Sequence, residues 1–142
     1  LAARMRVFVS SEAPLPAELE PLRLRIPPHQ MHDALALATC YVGDSQTMAA
    51  EAALVGTPSF QISTWSRRLA YLVELEDAYG LVRSFTPAQV EEARAAIRET
   101  LDDDGAEARR RAGWERMLAE KEDVATWYLD LVREALARRA RR

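Results

Sequence analysis

The sequence predicts an α/β domain built on a parallel, doubly wound sheet, and three observations carry that prediction. Short β-rich runs alternate with stretches of helical period along most of the chain. The links between them are short and punctuated at Gly43, at Gly56-Thr57-Pro58 and at Gly80. Strand–helix–strand units joined in this way place successive strands parallel. The 142 residues, 49% hydrophobic and 29% charged, suffice for a single domain with a real core.

Residues 6–10 are β-rich, and the three prolines between positions 11 and 21 make a loop after them. Residues 22–26 alternate apolar and basic side chains, as a half-exposed strand does, until Pro27-Pro28 stops them. From Gln30 the period changes, and Met31, Ala34, Leu35 and Ala38 share one helical face. Residues 40–42 read as a buried strand, and 43–47 as a small polar turn. Residues 48–55, rich in Ala and Leu, predict a helix stopped by Gly56. A strand over 59–63, a helix over 68–79 ended by Gly80, and a strand over 81–85 follow. Thr86, Pro87 and Gln89 then form a capping box, with Val90, Ala93, Ile97 and Leu101 on the buried face. Asp102-Asp103-Asp104-Gly105 reads as a solvated turn rather than a metal box. A further helix carries Trp114, Met117 and Leu118. Asp123 caps a last helix, whose stripe of Val124, Trp127, Tyr128, Leu131, Val132, Ala135 and Leu136 is expected to pack on the domain.

Composition excludes several classes. A net charge of −3 argues against a nucleic-acid binder. A single cysteine, Cys40, rules out an intrachain disulfide and makes a cytoplasmic setting the simplest expectation. No apolar run approaches the roughly 20 residues of a membrane span. The opening residues lack both an initiator Met and a signal-peptide core, so the chain reads as a cut from a longer protein. The basic tail, Arg138-Arg139-Ala140-Arg141-Arg142, suits a helix C-terminus and solubility.

Ligands of parallel sheets bind at the carboxyl ends of the strands. The turn Gly43-Asp44-Ser45-Gln46-Thr47 joins a strand to a helix N-terminus there, where free N–H groups and the helix dipole favour an anion. Ser45 and Thr47 add hydroxyls, and Glu51 lies far enough along the helix to accept from a ribose diol. The simpler alternative is that Asp44 or Ser45 caps the helix and Glu51 is solvated. Neither a GxGxxG fingerprint nor a Walker A loop is present. His29 and His32, beside Asp33, could bind a metal or contact a substrate, but a third strong ligand is absent, so no metal is expected. Arg67 and Arg68, next to Trp65 after a strand end, are candidate partners of phosphate or carboxylate, or simply surface residues. Cys40 reads as a packed thiol.

The runs Met31-His32-Asp33-Ala34-Leu35-Ala36-Leu37-Ala38 and Gly43-Asp44-Ser45-Gln46-Thr47-Met48-Ala49-Ala50-Glu51-Ala52-Ala53-Leu54-Val55-Gly56-Thr57-Pro58 resemble the C-terminal half of the domain-of-unknown-function family numbered 354. Residues 72–85 and Lys121-Glu122-Asp123-Val124 are similar to it as well. That family is described as predicted glycosyltransferases and is similar to UDP-N-acetylglucosamine 2-epimerases. The resemblance implies a Rossmann-like domain, the C-terminal half of a GT-B-type architecture whose partner is the missing N-terminal domain of the same protein. It implies a UDP-sugar as substrate and no further cofactor. By the same resemblance, Gly43, Asp44, Ser45, Gln46 and Thr47 face the diphosphate, Glu51 the ribose, and Ile26, Pro27 and His32 the base. His29, Arg67 and Arg68 are further candidate contacts. The epimerases carry two glycines where this chain has Gln46 and Thr47, which narrows the approach of a phosphate. The competing expectation is therefore a non-catalytic, Rossmann-like scaffold or interaction module that has lost its nucleotide. Pairing of two copies is a further expectation, since a truncated sheet exposes an edge.

Overall fold

The computed structural model describes residues 5–140; the first four positions, and Arg141 and Arg142 of the basic tail, lie outside them. Three strands, β1 (Tyr41–Gly43), β2 (Ser59–Ile62) and β3 (Val82–Phe85), form one parallel sheet in the order β1-β2-β3. Tyr41 pairs with Ser59, and Ser59 with Val82, so the three carboxyl ends lie together. α1 (Met31–Ala36) precedes β1, α2 (Gln46–Leu54) joins β1 to β2, and α3 (Ala70–Asp77) joins β2 to β3. α4 (Val90–Asp102), α5 (Ala106–Glu120) and α6 (Val124–Ala140) follow. This is the Rossmann-like α/β arrangement that the alternation predicts.

The alternation along β2 decides which helix covers which face. Ser59 Oγ donates to the Ala49 carbonyl at 2.8 Å, so its face carries α2. There Ala49, Ala50 and Ala53 of α2 pack with Leu72 and Leu75 of α3, Val82 of β3 and Met117 of α5. Alanines let α2 lie close to the strands. Phe60 points the other way, onto Ala96 and Ile97 of α4, with Cys40, Phe85 and Leu101 around them. Burial pushes the Cys40 thiol up, in keeping with a packed side chain. Gly56 (φ 86°) and Gly80 (φ 67°) end α2 and α3 in the left-handed conformation expected of them. The Leu81 N–H closes the second of these stops on the Leu75 carbonyl, at 2.8 Å.

α5 is fixed by its contacts with helix ends. Arg110 Nε donates to the Gly56 carbonyl at 2.7 Å, and Trp114 Nε1 to the Leu54 carbonyl at 2.8 Å. The second satisfies a carbonyl that α2 leaves open at its C-terminus, and the first holds the glycine that follows the helix. Gly113 lies so close to Tyr79 that a Cβ there would overlap the Tyr79 carbonyl oxygen.

Several expectations are corrected. Residues 6–10 and 22–26 are not ladder strands. They meet in one parallel bridge, Val9 with Arg23, closed by Val9 N–H to the Leu22 carbonyl and Leu24 N–H to the Val9 carbonyl, each 2.8 Å. The 3-10 turn Glu20–Leu22 and the flanking prolines leave no room for a longer ladder. The capping box forms, with Thr86 N–H on Gln89 Oε1 at 3.0 Å, but its first turn, Pro87–Gln89, is 3-10. The tighter turn rotates the apolar face. Val90 is consequently 45% exposed, and Ala93, Ala96 and Ile97 are buried. In α5 Met117 is buried and Leu118 is exposed.

Asp123 caps α6 as expected, accepting from Ala125 N–H at 3.0 Å and from Thr126 Oγ1 at 2.6 Å. The helix does not pack on the domain, however. Trp127, Tyr128, Leu131 and Val132 all lie exposed, because α2, α3, α4 and α5 already cover the apolar residues of the sheet. Among the described residues, no helix is long and apolar enough to cross a membrane.

Candidate functional site

β1 ends at Gly43, and two residues later the backbone of Ser45 is still extended (φ −69°, ψ 124°). Ser45 is therefore the N-cap of α2, and its Oγ accepts from Met48 N–H at 3.3 Å. Gln46 and Thr47 are the first residues of α2, and their N–H groups have no protein partner among the described residues. Asp44 and Thr47 are exposed, whereas Ser45 and Gln46 are half-buried. The turn thus presents open backbone donors at the carboxyl end of β1, with the positive end of the α2 dipole behind them.

Tyr41 shapes this turn from below. Side chains two apart on a strand share a face, and a Cβ at Gly43 would overlap the Tyr41 hydroxyl. Gly43 is thus the residue that admits the phenol. Burial, and then the Asp44 charge, push the Tyr41 hydroxyl up to about 12 against a hydrogen bond with the Ser45 backbone. The turn rests on a neutral phenol at ordinary pH. Sequence reasoning missed Tyr41; its signal was a long aromatic spaced i,i+2 from a glycine.

A second residue missed by sequence reasoning is Gln61. It is fully buried on β2, is in register with Gly43, and neither of its amide atoms has a hydrogen-bond partner among the described residues. A buried, unpaired amide is costly and calls for a physical reason. The sequence signal was slight, since Ser59, Gln61 and Ser63 alternate with Phe60 and Ile62 as on a half-exposed strand.

Glu51 lies six residues after Ser45, about 9 Å along the helix axis. Its Oε2 stands 3.6 Å from His32 Nε2, too long for a hydrogen bond, and its side chain is 33% exposed. α1, which carries His32, is tied down by the Thr57 hydroxyl donating to the buried Leu35 carbonyl at 2.6 Å. Fold and side chains thus bring His32 to Glu51, on the helix that the turn opens. Ile26 is half-buried, and Pro27 leads into the exposed 3-10 turn Pro28–Gln30, which holds His29.

The two arginines behave differently. Arg67 adopts a left-handed backbone (φ 57°) and places its guanidinium on Asp77, with contacts of 2.9 and 2.7 Å, and on Glu76 at 3.1 Å. Arg68 stacks over exposed Trp65, 5.3 Å from the ring centre, and no carboxylate neutralises it among the described residues. Asp103 of the acidic turn caps Gly105 N–H at 2.8 Å and pairs with Arg109. Among the described residues, no three His, Cys, Asp or Glu side chains converge as metal ligands.

Comparison of the chain with protein-family models, with curated proteins and with solved structures returns no match.

Proposed function

We propose that the chain is the nucleotide-sugar-binding half of a GT-B-type enzyme, a glycosyltransferase or a protein like the sugar-nucleotide 2-epimerases. The observation that supports this reading best is the turn 43–47, whose unpartnered Gln46 and Thr47 N–H groups stand open at the carboxyl end of β1. On this reading a UDP diphosphate lies against Gly43, Asp44, Ser45, Gln46 and Thr47, and Glu51 receives the ribose hydroxyls. Ile26, Pro27 and His32 border the base. The buried Gln61 amide, in register with Gly43, gains a partner through the ligand or a water held with it. Of the outlying candidates, Arg68 has a charge free for substrate, Arg67 is held by Asp77 and Glu76, and His29 is exposed.

The groups that activate an acceptor come from a second domain on this reading, and the exposed apolar side chains of α6 give that domain a surface to cover. Binding, rather than turnover, is therefore the activity of this half. A second reading, an interaction module without nucleotide, is favoured by one observation: the half-buried Gln46 stands where a glycine would admit a phosphate. In that case α6 serves to join partners or a second copy.

Calorimetric titration with UDP, ADP and GDP tests the proposal. UDP is expected to bind more tightly than the other two. Glu51→Gln and Ser45→Ala should each weaken it about tenfold, as loss of one charge-assisted or capping contact does. Equal weak binding of all three, untouched by either substitution, would favour the module.

A further inference from the structure

At the opposite end of the sheet, where β2 and β3 begin, the protein holds a cavity of about 420 Å³. Its floor is Ser59 and Val82 at the strand starts, and its wall includes Arg83, Arg109, Arg110 and Arg116. Four arginines thus line one cavity of a chain whose net charge is −3.

The partners of these arginines show where charge remains. Arg83 pairs with Glu99 at 3.2 Å, and Arg109 pairs with Asp103. Arg110 and Arg116 have no carboxylate among the described residues. Arg110 donates its Nε to the Gly56 carbonyl at 2.7 Å, and Arg116 donates to the Ala78 carbonyl while lying over the Tyr79 ring. A carbonyl accepts a hydrogen bond but cancels no charge. Each guanidinium carries five N–H donors, and these contacts leave several of them open. Glu76 and Asp77 also line the cavity, and the single Arg67 guanidinium pairs with both, so one of these two carboxylate charges stays uncompensated. Ala106, the first residue of the 15-residue helix α5, completes the wall, and the end of that helix is already met by Asp103, which accepts from Gly105 N–H at 2.8 Å, and by Glu107 in its first turn. The cavity therefore sets two guanidinium groups that have no carboxylate partner against one uncompensated carboxylate, a balance of one positive charge.

We infer that this cavity is an anion site for a small molecule carrying a phosphoryl or pyrophosphoryl group. Its volume exceeds what a single inorganic phosphate fills and falls in the range of about 300–1,000 Å³ common for small-ligand sites. The site is independent of the turn after β1, since it lies at the amino ends of the strands. An anion bound here would hold α5 against the ends of α2 and α3, because Arg110 and Arg116 already bridge α5 to Gly56 and Ala78.

Inorganic pyrophosphate, followed by amide NMR of the full chain at constant ionic strength, tests the inference. Saturable shifts are expected at Gly80, Ala106 and Arg110. Arg116→Gln should weaken them about tenfold, and Ser45→Ala should leave them unchanged. Arg110→Lys keeps the charge but loses the planar fork, and is expected to weaken pyrophosphate binding less than Arg116→Gln. Shifts confined to Ser45 and Thr47 would overturn the inference, as would non-saturable shifts matched by sodium chloride. Loss of nucleotide binding at the turn with pyrophosphate still shifting Ala106 would count against the proposed function alone.

Discussion

Gly113 is held by two opposing effects whose magnitudes decide the outcome of replacing it. Alanine is favoured over glycine inside a helix by about 1 kcal/mol. Against that, the new methyl would overlap the Tyr79 carbonyl oxygen, a backbone atom that cannot swing aside. Overpacking of this kind costs about 1–3 kcal/mol. Gly113→Ala is therefore expected to destabilise the fold by up to ~2 kcal/mol in urea unfolding, and stabilisation would show that α5 packs differently. Ser45→Ala removes the acceptor of Met48 N–H, and should cost about 1 kcal/mol by the same measurement. At Asp77 the hydrogen bonds from Arg67 hold the carboxyl below its usual range. A lowered folded value gives stability that is present above the ordinary carboxylate range and is lost as pH falls through the lowered one. Asp77→Asn should flatten the acid side of the stability–pH curve, and added salt should shrink the difference because the pair is exposed. An unchanged slope would show that the pair is not formed in solution.

The elements differ in how far neighbouring residues could announce them. α2 and α3 were legible because Gly56 and Gly80 terminate them by backbone conformation, a local property. The capping box at Thr86 was legible for the same reason, although its 3-10 turn shifted the buried face away from Val90. Residues 6–10 and 22–26 have strand composition, but strand pairing needs a partner at the right distance, and they find it at one position only. α6 illustrates the limit most clearly. Its stripe and its Asp123 cap are readable, yet what an apolar stripe meets is a property of the rest of the fold. Because its side chains are exposed, a chain ending at Lys121 is expected to melt within about 4 °C of the full chain. The same truncation should lower binding of a hydrophobic dye. A large drop in melting temperature would mean that α6 does pack on the domain.

At the scale of the whole molecule, one short parallel sheet presents two chemically different ends. The carboxyl end carries the turn at Ser45, from which α2 leads to Glu51 beside His32, and the amino end carries the arginine cavity. The first was visible in the sequence because a polar turn between a strand and a helix is contiguous. Tyr41 and Gln61 were not, since their significance depends on register with Gly43 and on burial. The arginine cavity was not visible either, because Arg83 lies far in sequence from Arg109, Arg110 and Arg116. We propose that the turn after β1 binds a uridine nucleotide. Amide NMR of the isotope-labelled chain titrated with UDP, alongside ADP and GDP, tests this most directly. Selective, saturable shifts at Ser45, Thr47 and Glu51 are expected with UDP. Shifts of equal size with all three nucleotides, or none at millimolar UDP, would contradict it.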